Sequence, residues 1–479
     1  MVFQNDILAG SSGASGASSV YQIDQSIRFN KPDLAVLTKT YGSEGTKTAF
    51  TMSCWIKPTL QANAGFLFGA STSNDAWNAT TGSHLSWSSN TLAFYSGGTN
   101  YIITNRVFRD PSAWYHIVLA VNTAGSGTDK IKLYVNGTLE TSFSTDNRSS
   151  ISGDLYIGDD VLHFIGGQVT TGTTNAFWDG YIAEFYYIDG SQLTADSFAE
   201  TNNNGIWIPK EYSGSYGSNG VKIDGRDASD LGDDESGNGN DFTTSGLAAH
   251  DQVADSPSNI FCTINSVYAD NAPAGNAGTL SNGNLQYVGG GSTFSVKGLT
   301  FNLPKSGKWY FEYMIGGTND GFGFVKQGEQ GSISAGDGAG GLSVAQGGGI
   351  QHSGWRNGGN FTVSFGSTFT AGHIHQVAID VDNGKFFYGV QNTYYAADAG
   401  TDGNPSAGTN ETSTFAFSTT DVVLLAGNYS GTQYWNFGQD GTFSGQQTAQ
   451  GNSDANGVGN FYYAPPTGYL ALCTKNLGS

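Results

Sequence analysis

Charge is what this chain has least of. Only 13% of its 479 residues are Asp, Glu, Lys or Arg, against a typical ~25%, and 20 basic residues face 40 acidic ones for a net charge of −20. With so few cations and no basic run, the chain lacks the groups that neutralise phosphates, which excludes nucleic acid as a partner. The acidity favours solubility and opposes anionic surfaces, though screening confines that effect to roughly 8 Å at physiological salt. Cysteine is scarce too. Cys54, Cys262 and Cys473 are far apart, odd in number and without Cys-x-x-Cys spacing, so they read as small apolar residues rather than a disulfide framework or zinc site. The chain has no 18-residue apolar run, and its first 30 residues hold no apolar signal core. The expectation is therefore neither a membrane span nor a secretory signal, with release by another route such as lysis. Helical periodicity is missing outside Thr194–Glu200, which reads as one short helix capped by Thr194.

Glycine and aromatics are abundant instead. Seventy glycines and 13% aromatic residues exclude a solvated disordered chain and fit an all-β protein with many turns. The length exceeds what one core covers, so two domains of roughly 200 residues and a connector are expected. The two halves repeat one theme. Ile131, Leu133 and Val135 alternate with Lys132 and Tyr134 and run into Asn136-Gly137; Val377, Ile379 and Val381 alternate with Ala378 and Asp380 before Asn383-Gly384 and Phe386 to Val390. A two-residue Asn-Gly loop supplies the positive φ angles of a type I′ turn, so each is read as a β-hairpin.

Residues 1–19 have flexible-linker composition and read as an arm held by a partner surface or a second copy of the chain. Residues 20–209 read as short strands: Phe50, Met52, Cys54 and Ile56 on one face, a buried strand from Trp114 to Val121, then Leu155 to Gly158 and Tyr181 to Ile188. Residues 210–276 read as an acidic, turn-rich connector, and residues 277–479 as a second sandwich whose Trp309, Phe311, Tyr313 and Ile315 share a face.

Four segments in order, Phe50 to Pro58, Trp114 to Val118, Ile131 to Gly137 and Gly180 to Phe185, resemble a laminin G-like domain of the concanavalin A-like jelly-roll superfamily. The resemblance implies two curved antiparallel sheets. Lys308 to Ile315, Gly321 to Phe324, Val377 to Val390 and Asn436 to Gly438 resemble the SPRY fold, another β-sandwich, from which the Gly-rich insertions at 328–349 and 439–460 depart. The whole series, from the Phe3 opening and Tyr21 to Phe29 through Asp179 to Glu184, Gly237 to Phe242, Ser256 to Asn259 and Pro465 to Tyr469, resembles virion fibre proteins of marine bacteriophages. That resemblance implies attachment to other virion proteins through the arm, localisation to the virion, homo-oligomerisation and adsorption to a host surface.

Catalysis finds little support in the motifs. The glycosidases of the jelly-roll superfamily set two carboxylates a few residues apart on one strand face, and no Glu-x-Asp-x-x-Glu run occurs here; Glu184 and Glu312 are single acids within aromatic strands. No strand-turn-helix Gly-x-Ser-x-Gly motif is present, and His373 and His375 have metal-compatible spacing but no evident third ligand. Binding is the better reading, because an aromatic face with a polar edge suits sugar rings. The candidates for a glycan site are Trp77, His84, Trp87 and Tyr101 in the first domain and Trp355, Arg356, Asn357, Tyr394, Tyr395 and Trp435 in the second; Trp55, Trp114 and Trp309 are assigned to the core. No cofactor is required. Calcium is the one metal considered, with Asp233, Asp234, Asn238, Asn240 and Asp241 as oxygen donors against the reading of a solvated acidic loop. The expected function is a non-enzymatic phage tail-fibre-like appendage that binds host glycan; the alternatives are a head-attached decoration protein and a polysaccharide depolymerase.

Overall fold

The computed structural model describes residues 21–59, 64–72, 81–167, 177–268, 278–290, 295–317, 321–327, 370–398, 400–428 and 431–478, with backbone alone at 320 and at strands in 334–364. The N-terminal arm lies outside the described residues. The protein is all-β: among the described residues the one α-helix is the single turn Thr474–Leu477. The chain divides between Asn259 and Ile260.

In the first unit two antiparallel sheets enclose one core. Ala49–Pro58 lies at the centre of the first sheet, between Tyr115–Asn122 and Gly180–Asp189. The second sheet runs through Thr99–Thr104, Thr91–Ser96, Gly82–Ser88, Gly65–Ser71, Leu162–Ile165 and Val36–Thr40. The strands alternate as expected, and Phe50, Met52, Cys54 and Ile56 meet Phe68, Leu85 and Phe94 across the sandwich. Asn136 and Gly137, with φ of 48° and 77°, form the type I′ turn that joins Ile131–Val135 to Thr138–Leu139.

Three expectations are corrected. The stretch placed in a connector from 210 is, as far as Asn259, part of the first unit: Val221–Ile223 pairs with Gly180–Asp189, Gln252–Val253 with Ser26–Phe29, and Thr243–Ser245 with Val36–Thr40. Leu155 to Gly158 forms no strand; Leu155 and Ile157 enter the core from a turn. The helix expected at 194–200 is the 3-10 turn Ala195–Ser197, and the Thr194 side chain makes no cap, because Ala199–Thr201 already pairs with Trp207–Pro209.

The second unit is likewise built from two sheets around one core. Lys308–Ile315 pairs with Ile374–Asp380 and Thr432–Asn436, while Val422–Asn428 pairs with Asp320–Lys326 and Ser295–Gly298 in the opposing sheet. Trp309, Phe311, Tyr313 and Ile315 are core residues. The Asn383-Gly384 hairpin is longer than expected. Asp380 pairs with Lys385 across a four-residue loop in which only Gly384 has positive φ, and the Asp380 carboxylate accepts the Asn383 N–H at 3.0 Å.

Candidate functional site

Most aromatic residues singled out above as sugar contacts are structural. Trp87 is 1% exposed and packs against Trp178 and Phe108 between the sheets, and Trp435 is 0% exposed and stacked on Tyr313 and Phe437. Their alternating strand positions face inward, which overrides the polar neighbours that suggested loops. Tyr101 is half-buried against the first core and Tyr395 against the second. Trp77 lies outside the described residues, as do the side chains of Trp355, Arg356 and Asn357, whose backbone forms the strand Gly354–Asn357. Tyr394 is half-buried, and its ring covers Gly389, where an added Cβ would meet it at 3.2 Å.

His84 occupies the outward face of the second sheet of the first unit. Its ring stacks on Tyr95 at 5.0 Å with planes 17° apart, and Phe66 meets it edge-on at 4.3 Å. Phe164 continues the row at 5.7 Å from Phe66. Burial depresses His84 to about 3, so the imidazole is neutral near pH 7. Tyr95 is half-buried, paired across the strands with exposed Asn100. The Val36–Thr40, Gly65–Ser71, Gly82–Ser88, Thr91–Ser96, Thr99–Thr104 and Leu162–Ile165 strands of this sheet contain no Asp or Glu. The face offers a supported aromatic ring with polar neighbours and no carboxylate pair. Tyr95 was missed in the sequence because the Gly97-Gly98 hairpin after it went unread.

A Ser-His contact exists in the first sheet, but its tautomer is wrong for a nucleophile. The Trp207 indole N–H donates to His116 Nδ1 at 3.1 Å, and an indole can only donate. Neutral His116 therefore carries its proton on Nε2 and donates to Ser53 Oγ at 2.9 Å. It cannot take the serine proton. Burial holds His116 at about 3, and Trp55 stacks on its ring at 4.8 Å.

The two strand acids are both buried. Glu184 sits at a bulge of Gly180–Asp189 with φ of 49°, a strained conformation for a non-glycine residue. The Tyr21 hydroxyl donates to it and Lys222 Nζ lies 3.7 Å away, while burial raises its pKa. Glu312 is 0% exposed and accepts from Tyr310 Oη at 2.7 Å, the Tyr462 and Tyr463 N–H groups at 2.9 and 2.8 Å, and Asn436 Nδ2 at 3.4 Å. Burial pushes it up to about 7 against the pull of those donors. Every acceptor position is spent on structure. His375 is buried beside Tyr388, and His373 immediately precedes the Ile374–Asp380 strand.

The proposed calcium donors form a hydrogen-bonded turn. Asp234 accepts from the N–H groups of Lys222, Ser236 and Asn240 at 3.0, 2.9 and 2.8 Å, and Asp241 accepts the Asp234 N–H at 3.1 Å. Asn238 and Asn240 point amide nitrogens, not oxygens, at the carbonyls of Gly217, Ser218 and Gly220. Asp233 is half-buried beside them. Elsewhere among the described residues Glu44, Asp159 and Asp160 bring oxygens within 4.8 Å of one another, and Lys47 lies 3.2 Å from Glu44 and 3.7 Å from Asp159. That lysine answers their charge.

Residues 35–220 match the laminin G family described as the concanavalin A-like lectin/glucanases superfamily. No curated protein matches the chain. Among solved structures, a heptameric SAP-like pentraxin from Limulus polyphemus is 18% identical over 48% of this chain and 98% of its own, with a TM-score of 0.30. A putative carbohydrate binding protein from Bacteroides ovatus is 16% identical over 49% of this chain and 63% of its own, with a TM-score of 0.29. The SPRY domain of human HERC1 is 11% identical over 33% of this chain and 91% of its own, with a TM-score of 0.24.

Proposed function

We propose that this chain is a non-enzymatic glycan-binding protein whose first sandwich holds the sugar. The observation that supports this most directly is the match of residues 35–220 to a lectin and glucanase superfamily, on a sheet where the strands that carry the Tyr95–His84 stack contain no carboxylate. A sugar ring presents C–H groups to the Tyr95 face and hydroxyls to polar edges such as Asn100. Retaining glycosidase chemistry needs two carboxylates about 5–5.5 Å apart, and nothing on those strands supplies them. In the same reading the chain is a virion appendage, with residues 1–19 joining it to other virion proteins and the glycan belonging to a host surface; the sequence resemblance to phage fibre proteins supports this. A glycan array with the full chain tests the binding role. Binding should appear, and Tyr95→Ala should weaken it by about 1–3 kcal/mol with little change in folding. Absence of glycan binding would turn the reading toward structural decoration, and release of reducing ends from host polysaccharide would turn it toward a depolymerase. Trp355→Ala, tested by host adsorption of particles, probes the second sandwich separately.

A further inference from the structure

Among the buried ion pairs of the first unit, Lys57 and Asp255 stand apart in geometry. Nζ lies 2.6 Å from Oδ2, and the side chains are 1% and 0% exposed. Burying both charges is costly, with a penalty of several kcal/mol per ion even after relaxation. The surroundings are aromatic: Nζ sits 5.6 Å from the Tyr181 ring centroid, and the Tyr181 and Trp114 rings are 6.1 Å apart. The Trp114 indole N–H donates to Oδ1 at 3.2 Å, and Ser26 Oγ donates to the Asp255 carbonyl at 2.6 Å, so the acid is fixed at both ends. The partners are 198 residues apart, one on a central strand and the other near the end of the unit. The cysteines of the chain are free and buried, so no disulfide makes such a tie.

We propose that Lys57 and Asp255 condense into an intramolecular isopeptide bond, making this pair an autocatalytic cross-linking site. A proton passes from Nζ to Oδ2 across their contact and leaves a neutral amine and a carboxylic acid. The amine lone pair attacks Cγ, and the carbonyl electrons move onto Oδ1, where the Trp114 N–H meets the developing charge. Collapse of the tetrahedral centre expels Oδ2 with its proton and one from nitrogen as water. One C–N bond forms, one C–O bond breaks and one water leaves; no oxidant, reductant or second reactant is needed. Well-oriented intramolecular groups reach effective molarities on the order of 10⁵ M or more, which favours an amide condensation that dilute water opposes.

Intact mass spectrometry of the denatured full-length protein decides the matter. The expected mass is lower than that of the sequence by one water, and proteolysis should yield a branched peptide joining the segments of Lys57 and Asp255. Lys57→Arg keeps a cation but cannot form the amide, and should run at full mass. Should that variant not fold, the wild-type measurement still decides. Full sequence mass with two linear peptides overturns the proposal. A deficit of one water without the branched peptide, as from a succinimide at an Asp-Gly pair, overturns it equally.

Discussion

The two sandwiches hold their buried acids with different mixes of charged and neutral partners. In the first, buried acids meet cations: Asp255 meets Lys57 at 2.6 Å, Asp251 meets Arg28 at 3.4 Å and Glu184 meets Lys222 at 3.7 Å. In the second, Asp380 meets Lys308 at 3.0 Å, but the more enclosed Glu312 and Asp454 are served by neutral donors. Asp454 accepts the N–H groups of Asn456, Val458 and Ala471, each at 2.9 Å, and Asn476 Nδ2 at 2.7 Å. Among the described residues no lysine or arginine pairs with either acid. A charge pair demands its partner, whereas a carboxylate fed by several amides shares the load, so the first unit should be the more brittle to single substitutions.

The largest effect should follow from Arg28→Met, which strands the buried Asp251 carboxylate. The expected cost to the first unit is about 3–5 kcal/mol, read from denaturant unfolding. A loss under about 1 kcal/mol would show that Asp251 is not buried as a charge. Glu312→Gln should cost the second unit less, about 1–3 kcal/mol, because the amide keeps one acceptor oxygen with its side-chain donor and its backbone N–H and loses only the other such pair. If it proves the costlier of the two, the contrast between the units fails.

Acidification sharpens the comparison. In the first unit burial holds His84 and His116 near 3 and His163 near 4, while Asp179 is raised to about 6. A depressed histidine contributes stability that is present above its unfolded value near 6.5 and is lost as pH falls toward the folded value. A raised acid does the opposite, with stability present below its unfolded value and lost as pH rises through the folded one. The three strongly depressed histidines outweigh the raised acids Asp179, Glu184, Asp233 and Asp251, so the first unit should lose stability between pH 6.5 and 4. In the second unit His375, near 3, opposes Glu312, near 7, and the two largely offset. Calorimetry at pH 7 and pH 5 should show the first unit's transition falling further. Equal shifts would mean that the buried histidines are neutral in the fold for no measurable cost. The smallest effect is expected from chelation: with Asn238 and Asn240 turned away, a chelator should leave the melting curve in place, and a fall would restore calcium to the acidic turn.

Much of the architecture was legible because period-two hydrophobicity reports burial directly. The strand from Phe50 and the Asn136-Gly137 turn follow from that pattern. Other primed hairpins escaped notice, since Ser89-Asn90 and Gln391-Asn392 adopt the same positive φ values without the Asn-Gly signature. The connector was misread because its Asp and Gly content resembles a solvated loop, while Asp234, Asp251 and Asp255 are in fact buried and bonded. Sequence shows that an acid is present, not that a backbone N–H two residues away will claim it. The candidate site suffered the same limit: Trp87 and Trp435 have polar neighbours on the opposite strand face, and only register decides which side turns inward.

The bonds at Glu312 also set an order of events during synthesis. Its strand is made early in the second unit, yet the N–H groups that complete its environment belong to residues 150 and 151 positions later. At roughly 5–20 residues per second, the ribosome needs about 8–30 s to deliver them. Until then the carboxylate must stay wet, and the sheet around it cannot finish closing. A nascent chain stalled before Tyr462 should hold its second sandwich open, so the last stretch of translation doubles as the signal to fold.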